Sequence, residues 1–585
     1  MRRATKVLLI GWDGAGWDKI HPLLDSGAMP NLARVIENGV MGDLNTLAPL
    51  CSPLLWTSIA TGVYADRHGV LDSTESDPVT AGVRPATRAS LGAFYVWDLL
   101  AHEGLRCQTM GWPVTHPAQG AAACVSDGFA LGVPESVYPA PLASKLAPLR
   151  FHPKEWTGNE LHLFVPEMAR IDQDKDKRLA KLAVILSQAV SVHATATTLL
   201  ETEEWDFSAV WFGALGQACE LFPDNTDEIY KDVVSGVYRF LDLLLGRLLQ
   251  LAGPEAVVML VSDRTAGQLE YLAMTGREPR GLLCASGPGI EADELAFGTG
   301  LLDIAPTILA LFGYAPAPGM SGRAITEICA AKPERILVNR PFPRQPEAPP
   351  ELDFLELEES GYTDKIAKGW RREAEAAKLR RDFHLARVLI SQDRIGEAIP
   401  LLEQLAAANP GILEIRFHLV HSYFRNKQYR ECREMCEALL LDAPDPTYEV
   451  VARAHLAIAE GNYVEALLYL NNGQADYGMI AALDTVIGDA YLRVGKWQEA
   501  ASVFRSAIEK DSRIAPAHRG LAHALLELGR PDEAAEAALD AIRLRYDQPA
   551  AHEILGRALR AMGRHPEAEG AFANSEMLRE RQPVA

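Results

Sequence analysis

Apolar positions fall in two different rhythms along this chain of 585 residues. Over the first 330 or so residues, short continuous apolar runs alternate with longer segments of helical period. Residues 7–10, 208–212 and 256–261 are such runs and predict buried strands. A further extended segment is predicted at 45–50, followed by Ser52-Pro53. Helical patterning is expected at 30–36, at 55–61 closed by Gly62, and at 228–251. Strands alternating with long helices predict an α/β domain with a doubly wound, mainly parallel sheet over residues 1–335. Residues 135–185, rich in proline, leucine and charge, are expected as an insertion or cap. The first run stops at Gly11, with Gly14 and Gly16 just beyond. An open sheet presents a side chain at the carboxyl edge of a strand in this way, and here that side chain is Asp13.

The second rhythm begins after a Pro-rich acidic stretch, expected as a linker over 336–365. Small residues recur every 34 positions as Ala398, Cys432, Ala466, Ala500, Ala534 and Ala568. Twelve positions earlier stand Ala386, Val420, Ala454, Gly488, Ala522 and Gly556, where two helices must approach closely. Three positions beyond those are Leu389, Tyr423, Ala457, Tyr491, Leu525 and Leu559. The period, with Ala500/Phe504 and Ala568/Phe572, resembles the tetratricopeptide repeat, six units over about 366–585. Stacked helix pairs of that kind form a groove, so a protein or peptide partner is expected there.

Composition changes this picture little. Hydrophobic residues make up 48% and charged residues 23%, as in globular chains generally. The net charge of −21 argues against nucleic acid and against an anionic membrane as a general partner. No uninterrupted apolar stretch of membrane-spanning length stands out, and no membrane span is expected. Eight cysteines without a Cys-x-x-Cys pair are read as reduced thiols, and with only a four-residue apolar run before Gly11, too short for a signal-peptide core, a cytoplasmic location is the expectation.

Candidate chemistry gathers in the first domain. Residues 7–18, 52–70, 261–264, 277–290 and 301–325 resemble, in order, segments of the alkaline phosphatase superfamily, in particular its type I phosphodiesterase and nucleotide-pyrophosphatase-like branch. That resemblance implies two metal ions, usually zinc, and a metal-bound Ser or Thr that attacks phosphorus. Asp13 falls on the first aspartate ligand and Ser52 on the nucleophile. Asp263 falls on the aspartate of an Asp-His pair whose histidine position is Arg264. Gly216 and Glu220 stand where an Asp-x-x-x-His is expected, and Arg277 takes the place of the last histidine. Three imidazoles and one carboxylate are therefore missing.

A guanidinium is not a metal ligand, so the two-metal centre is expected to be degraded, with no cofactor, or at most one weakly held divalent ion on Asp13, Asp263 and Ser52. Arg264, Arg277 and Ser52 could instead hold a phosphate-type anion. The function expected is that of a pseudoenzyme serving as scaffold or regulator; the alternative is a metal-dependent phosphodiesterase or phosphatase using Ser52. His68 is expected to be structural. His102, His116, His152, His162 and His193 lack the spacing of a ligand set.

Overall fold

The computed structural model describes residues 4–77, 82–120, 122–223, 227–266, 280–329, 335–337, 370–442, 446–462, 465–466, 468–469 and 477–581. These residues form two compact units that divide mainly near Leu379. Apart from Ile336 and Leu337, the expected linker at 336–365 lies outside the described residues.

Nine strands form the sheet of the first unit. They are β1 (Lys6–Trp12), β2 (Gly39–Asn45), β5 (Cys107–Met110), β6 (Ala123–Val125), β7 (Val137–Tyr138), β8 (Phe207–Phe212), β9 (Ala256–Val261), β10 (Arg280–Ser286) and β11 (Glu294–Ala296). A small separate hairpin joins β3 (Thr74–Ser76) to β4 (Val83–Pro85). The sheet order is β11-β2-β10-β9-β1-β8-β5-β6-β7. The centre is parallel, with β1 flanked by β8 and β9, while β10 runs antiparallel to both β9 and β2. Burial explains the sequence pattern: β9 is buried at every residue, so a strand covered on both faces reads as one apolar run rather than an alternation.

One local expectation is corrected, and two features go beyond what the sequence analysis expects. The extended segment lies at β2, residues 39–45, and the chain from 46 to 51 is a connection leading into the helix Ser52–Thr61. The helix Trp17–Asp25 is not expected from the sequence, because Pro22 inside it interrupts the helical reading. The stretch 135–185 is more than a cover: it supplies edge strand β7 and the start of the long helix Arg178–Thr202.

That helix of 25 residues is long and apolar enough to cross a membrane by length and composition, a feature that a search for uninterrupted apolar runs passes over. Of its apolar window, 61% is buried within the protein, and Leu182, Leu186, Ala196 and Leu199 share one core with Leu8, Ile10 and Val210 of the sheet. Its Ser187 and Ser191 hydroxyls donate to carbonyls one turn back. It packs as a core helix.

In the second unit eleven helices are described, running from Trp370–Ser391 to His565–Arg581. The small residues at the 34-residue spacing are buried at the helix contacts, Ala398, Cys432, Ala466, Ala500 and Ala534 completely. Gly488 and Gly520 both face the Phe504 ring, where a Cβ would stand 2.6 and 2.2 Å from ring atoms. A second series has the same period: Asp393, Lys427, Gly461, Gly495, Gly529 and Gly563 all have positive φ, between 62° and 78°. Each sits in the tight turn between the two helices of a unit, and four of the six are glycine because that backbone region disfavours a Cβ.

Candidate functional site

The carboxyl ends of the three central strands converge. Gly11 of β1 pairs with Trp211 of β8 on one side and Val261 of β9 on the other, so the residues that follow these strands meet at one edge of the sheet. β1 delivers Asp13, β9 delivers Asp263 and Arg264, and β8 leads through Gly213 into the helix Ala214–Leu221, which carries Gly216 and Glu220.

Asp13 is buried, 6% exposed, and Asp263 has no exposed surface. The Ser52 hydroxyl, at the first residue of its helix, donates to Oδ1 of Asp13 at 2.7 Å. One turn along the same helix, Trp56 Nε1 donates to the same oxygen at 2.9 Å. The sequence reading misses Trp56; its spacing of four from Ser52, which puts both on one helix face, is the available signal. The turn after β1 needs Gly14, whose φ is +76° and whose N–H donates to Oδ1 of Asp263 at 3.1 Å.

Arg264 lies between the two carboxylates. Its Nη1 is 2.5 Å from Oδ2 of Asp263 and 3.5 Å from Oδ1 of Asp13. Burial pushes the Asp263 carboxyl upward, against the opposing pull of Arg264. The guanidinium holds its proton more firmly than usual: burial opposes this, and Asp263 and Asp13 together outweigh it. Glu220 is exposed, its charge also acting on Arg264. Gly216 is packed so tightly that a Cβ would stand 2.0 Å from Oδ2 of Asp13. Among the described residues, the side-chain hydrogen-bond and ion-pair partners of Asp13 are Ser52, Trp56 and Arg264. The structure thus brings together Asp13, Ser52, Asp263, Arg264 and Gly216; Arg277 lies outside the described residues.

His68 is buried away from these groups' hydrogen bonds. The Val70 N–H donates to its Nδ1 at 3.2 Å, which leaves the ring proton on Nε2, 2.9 Å from the Ser58 hydroxyl. It fastens the helix of Ser52 to the chain beyond it, and burial lowers its pKa to about 3. His116 and His193 are occupied with Ser126 and the Leu244 carbonyl.

Comparison with known proteins places these observations. The family described as type I phosphodiesterase / nucleotide pyrophosphatase matches residues 7–274. Tetratricopeptide-repeat families match 389–454, 485–543 and 519–577. Among solved structures, a phosphonoacetate hydrolase from Sinorhizobium meliloti 1021 in complex with phosphonoformate is 16% identical, with 45% of this chain and 56% of that chain covered and a TM-score of 0.32. The present chain thus spans little more than half the length of that enzyme. Human ectonucleotide pyrophosphatase / phosphodiesterase 5 is 11% identical over 55% of this chain and 99% of that one, with a TM-score of 0.35. MamA (MSR-1 C2) is 24% identical over 31% of this chain and 98% of that one, with a TM-score of 0.22. No curated protein matches the chain by sequence.

Proposed function

This chain carries a type I phosphodiesterase/nucleotide pyrophosphatase domain followed by tetratricopeptide repeats, and from that premise we propose that it is a catalytically silent member of the fold, acting as a protein-binding scaffold or regulator through its repeats. The observation that carries this reading is the position of Arg264, with Nη1 at 2.5 Å from Asp263 and 3.5 Å from Asp13. The residues present do not fit two zinc ions. Zinc takes three or four imidazole, thiolate or carboxylate donors. Gly216 offers none, and Arg264 cannot be deprotonated to ligate. A permanent cation, Arg264, already stands between the two carboxylates and offsets one of their charges. At about 4 Å, two unit charges repel by roughly 4 kcal/mol at an effective dielectric of 20, and a divalent ion doubles that.

The alternative, a hydrolase using Ser52, draws support from one contact, the 2.7 Å hydrogen bond from Ser52 to Asp13 at a helix N-terminus. Turnover of bis-p-nitrophenyl phosphate by the full chain and by Ser52→Ala separates the two. The proposal expects no Ser52-dependent turnover with zinc, manganese or magnesium added; turnover abolished by Ser52→Ala supports the hydrolase.

A further inference from the structure

Two histidines occupy equivalent places in neighbouring repeats. His421 stands on the helix Leu413–Arg425 and His455 on the helix Pro446–Ala459, 34 positions apart, so they share the period of the array. Their rings meet edge to face with centroids 6.1 Å apart, and the Phe424 ring closes on His455 at 5.5 Å. One turn before His421 on the same helix is His418, whose ring meets Phe383 at 5.2 Å and Phe417 at 6.3 Å, again edge to face. Phe383, on the helix Trp370–Ser391, carries the Arg387 guanidinium over its face, 5.8 Å from the centroid. Three imidazoles are thus set among aromatic rings where the first three units of the array meet.

These surroundings suit a neutral ring and oppose an imidazolium. His455 is 1% exposed, and Nε2 of His418 is buried with no hydrogen-bond partner among the described residues. The charges that act on His421 are Arg425, His455 and His418, and the one that acts on His418 is Arg387. No carboxylate is among them. Asp393 is taken by Arg425 at 2.7 Å, and Glu403 accepts from the Tyr423 hydroxyl at 2.7 Å, on which Glu431 and Glu434 also act. A proton added to His418 or His421 therefore meets burial first and then only cations. Both rings take up a proton far less readily than a free imidazole, His418 with its pKa lowered to about 3.

In the unfolded chain the same rings are protonated below about pH 6.5. The packing of this junction is therefore at full strength above that pH and weakens as the pH falls below it. Each imidazole freed by opening raises the opening constant about tenfold per pH unit, and two raise it about a hundredfold.

We propose that His418, His421 and His455 form an acid-sensitive joint in the array, which opens between its first three units on acidification while the later units stay packed. The inference is independent of what the repeats bind.

Hydrogen–deuterium exchange of the full chain, followed by mass spectrometry at pH 7.5, 6.0 and 5.0 and corrected for the intrinsic exchange rate at each pH, is the test. Peptides from residues 413–425 and 446–459 should lose protection about a hundredfold or more between pH 6.0 and 5.0. The helices Trp497–Lys510 and Pro531–Leu544, which contain no histidine, should keep theirs. His418→Phe with His421→Phe keeps aromatic rings in place and removes two proton sites, and should reduce the loss to about tenfold or less. His418→Gln with His421→Gln, which leaves neutral polar side chains, should do the same. Equal loss of protection along the whole array, no loss at 413–425, or a loss as large in a folded double variant as in the wild type overturns the proposal. If neither double variant shows a wild-type far-ultraviolet spectrum at pH 7.5, the wild-type profile decides: selective loss supports the joint, and uniform or absent loss overturns it.

Discussion

Arg264 Nη1 stands 2.5 Å from Oδ2 of Asp263, a carboxylate with no exposed surface. A buried pair of this kind adds little net stability over an apolar replacement of both partners, but removal of one partner strands the other charge. Arg264→Met leaves Asp263 and Asp13 facing each other without compensation. It is expected to lower the unfolding free energy of the first unit by about 3–5 kcal/mol, measured by urea titration. Arg264→Lys should recover part of this. A Met variant as stable as the wild type would mean that the guanidinium does not support the site.

Gly216 offers a second test at the same place. A Cβ built there meets Oδ2 of Asp13 at 2.0 Å, and the neighbour is a buried carboxylate held by Ser52 and Trp56 rather than a flexible end. Gly216→Ala should cost roughly 1–3 kcal/mol through overpacking, seen as a lower thermal midpoint. An unchanged midpoint would show that Asp13 moves freely.

Much of this arrangement is legible in the amino-acid sequence, and the parts that are not have identifiable causes. Asp13, Ser52 and Asp263 stand out because each follows an apolar run or opens a helix, features of local sequence. The fold of Arg264 back between two carboxylates depends on strands β1 and β9 lying side by side, a relation between residues some 250 positions apart. The helix Trp17–Asp25 is hidden by Pro22. The second extended segment is displaced by several residues from its expected place, because β2 is only partly buried, with Met41, Gly42, Asp43 and Asn45 half-exposed, and lacks the continuous apolar run that betrays a central strand. The repeats are legible throughout, since a period of 34 recurs in residues that must be small; the positive-φ turn series of the same period is obscured because Asp393 and Lys427 occupy its first two positions.

Those two turn positions lead to a third prediction. Lys427 has a φ of 62°, in the region where Gly461, Gly495, Gly529 and Gly563 sit in later units. Lys427→Gly should stabilise the second unit by roughly 0.5–1 kcal/mol, despite the added freedom of the unfolded chain. Gly529→Ala should do the reverse. Both are read as shifts in the urea midpoint, and a destabilising Lys427→Gly would contradict the argument from backbone strain.

His68 predicts a pH dependence. Burial lowers its pKa from 6.5 to about 3. Between those values the unfolded chain binds a proton that the folded chain does not, so stability falls as the pH drops below about 6.5. The slope from this one group is about 1.4 kcal/mol per pH unit. His68→Gln keeps a donor for Ser58 and removes the titration. Its stability between pH 6.5 and 4.5 should fall less steeply than that of the wild type, and parallel curves would contradict a buried neutral imidazole.

The central claim is that Arg264, rather than metal, compensates Asp13 and Asp263. Its most direct test is elemental analysis of the full chain, purified without chelator and then dialysed against zinc and manganese in turn. Well under one equivalent of either metal is the predicted result. Two tightly held equivalents, lost in Asp13→Ala and Asp263→Ala variants that remain folded, would contradict it.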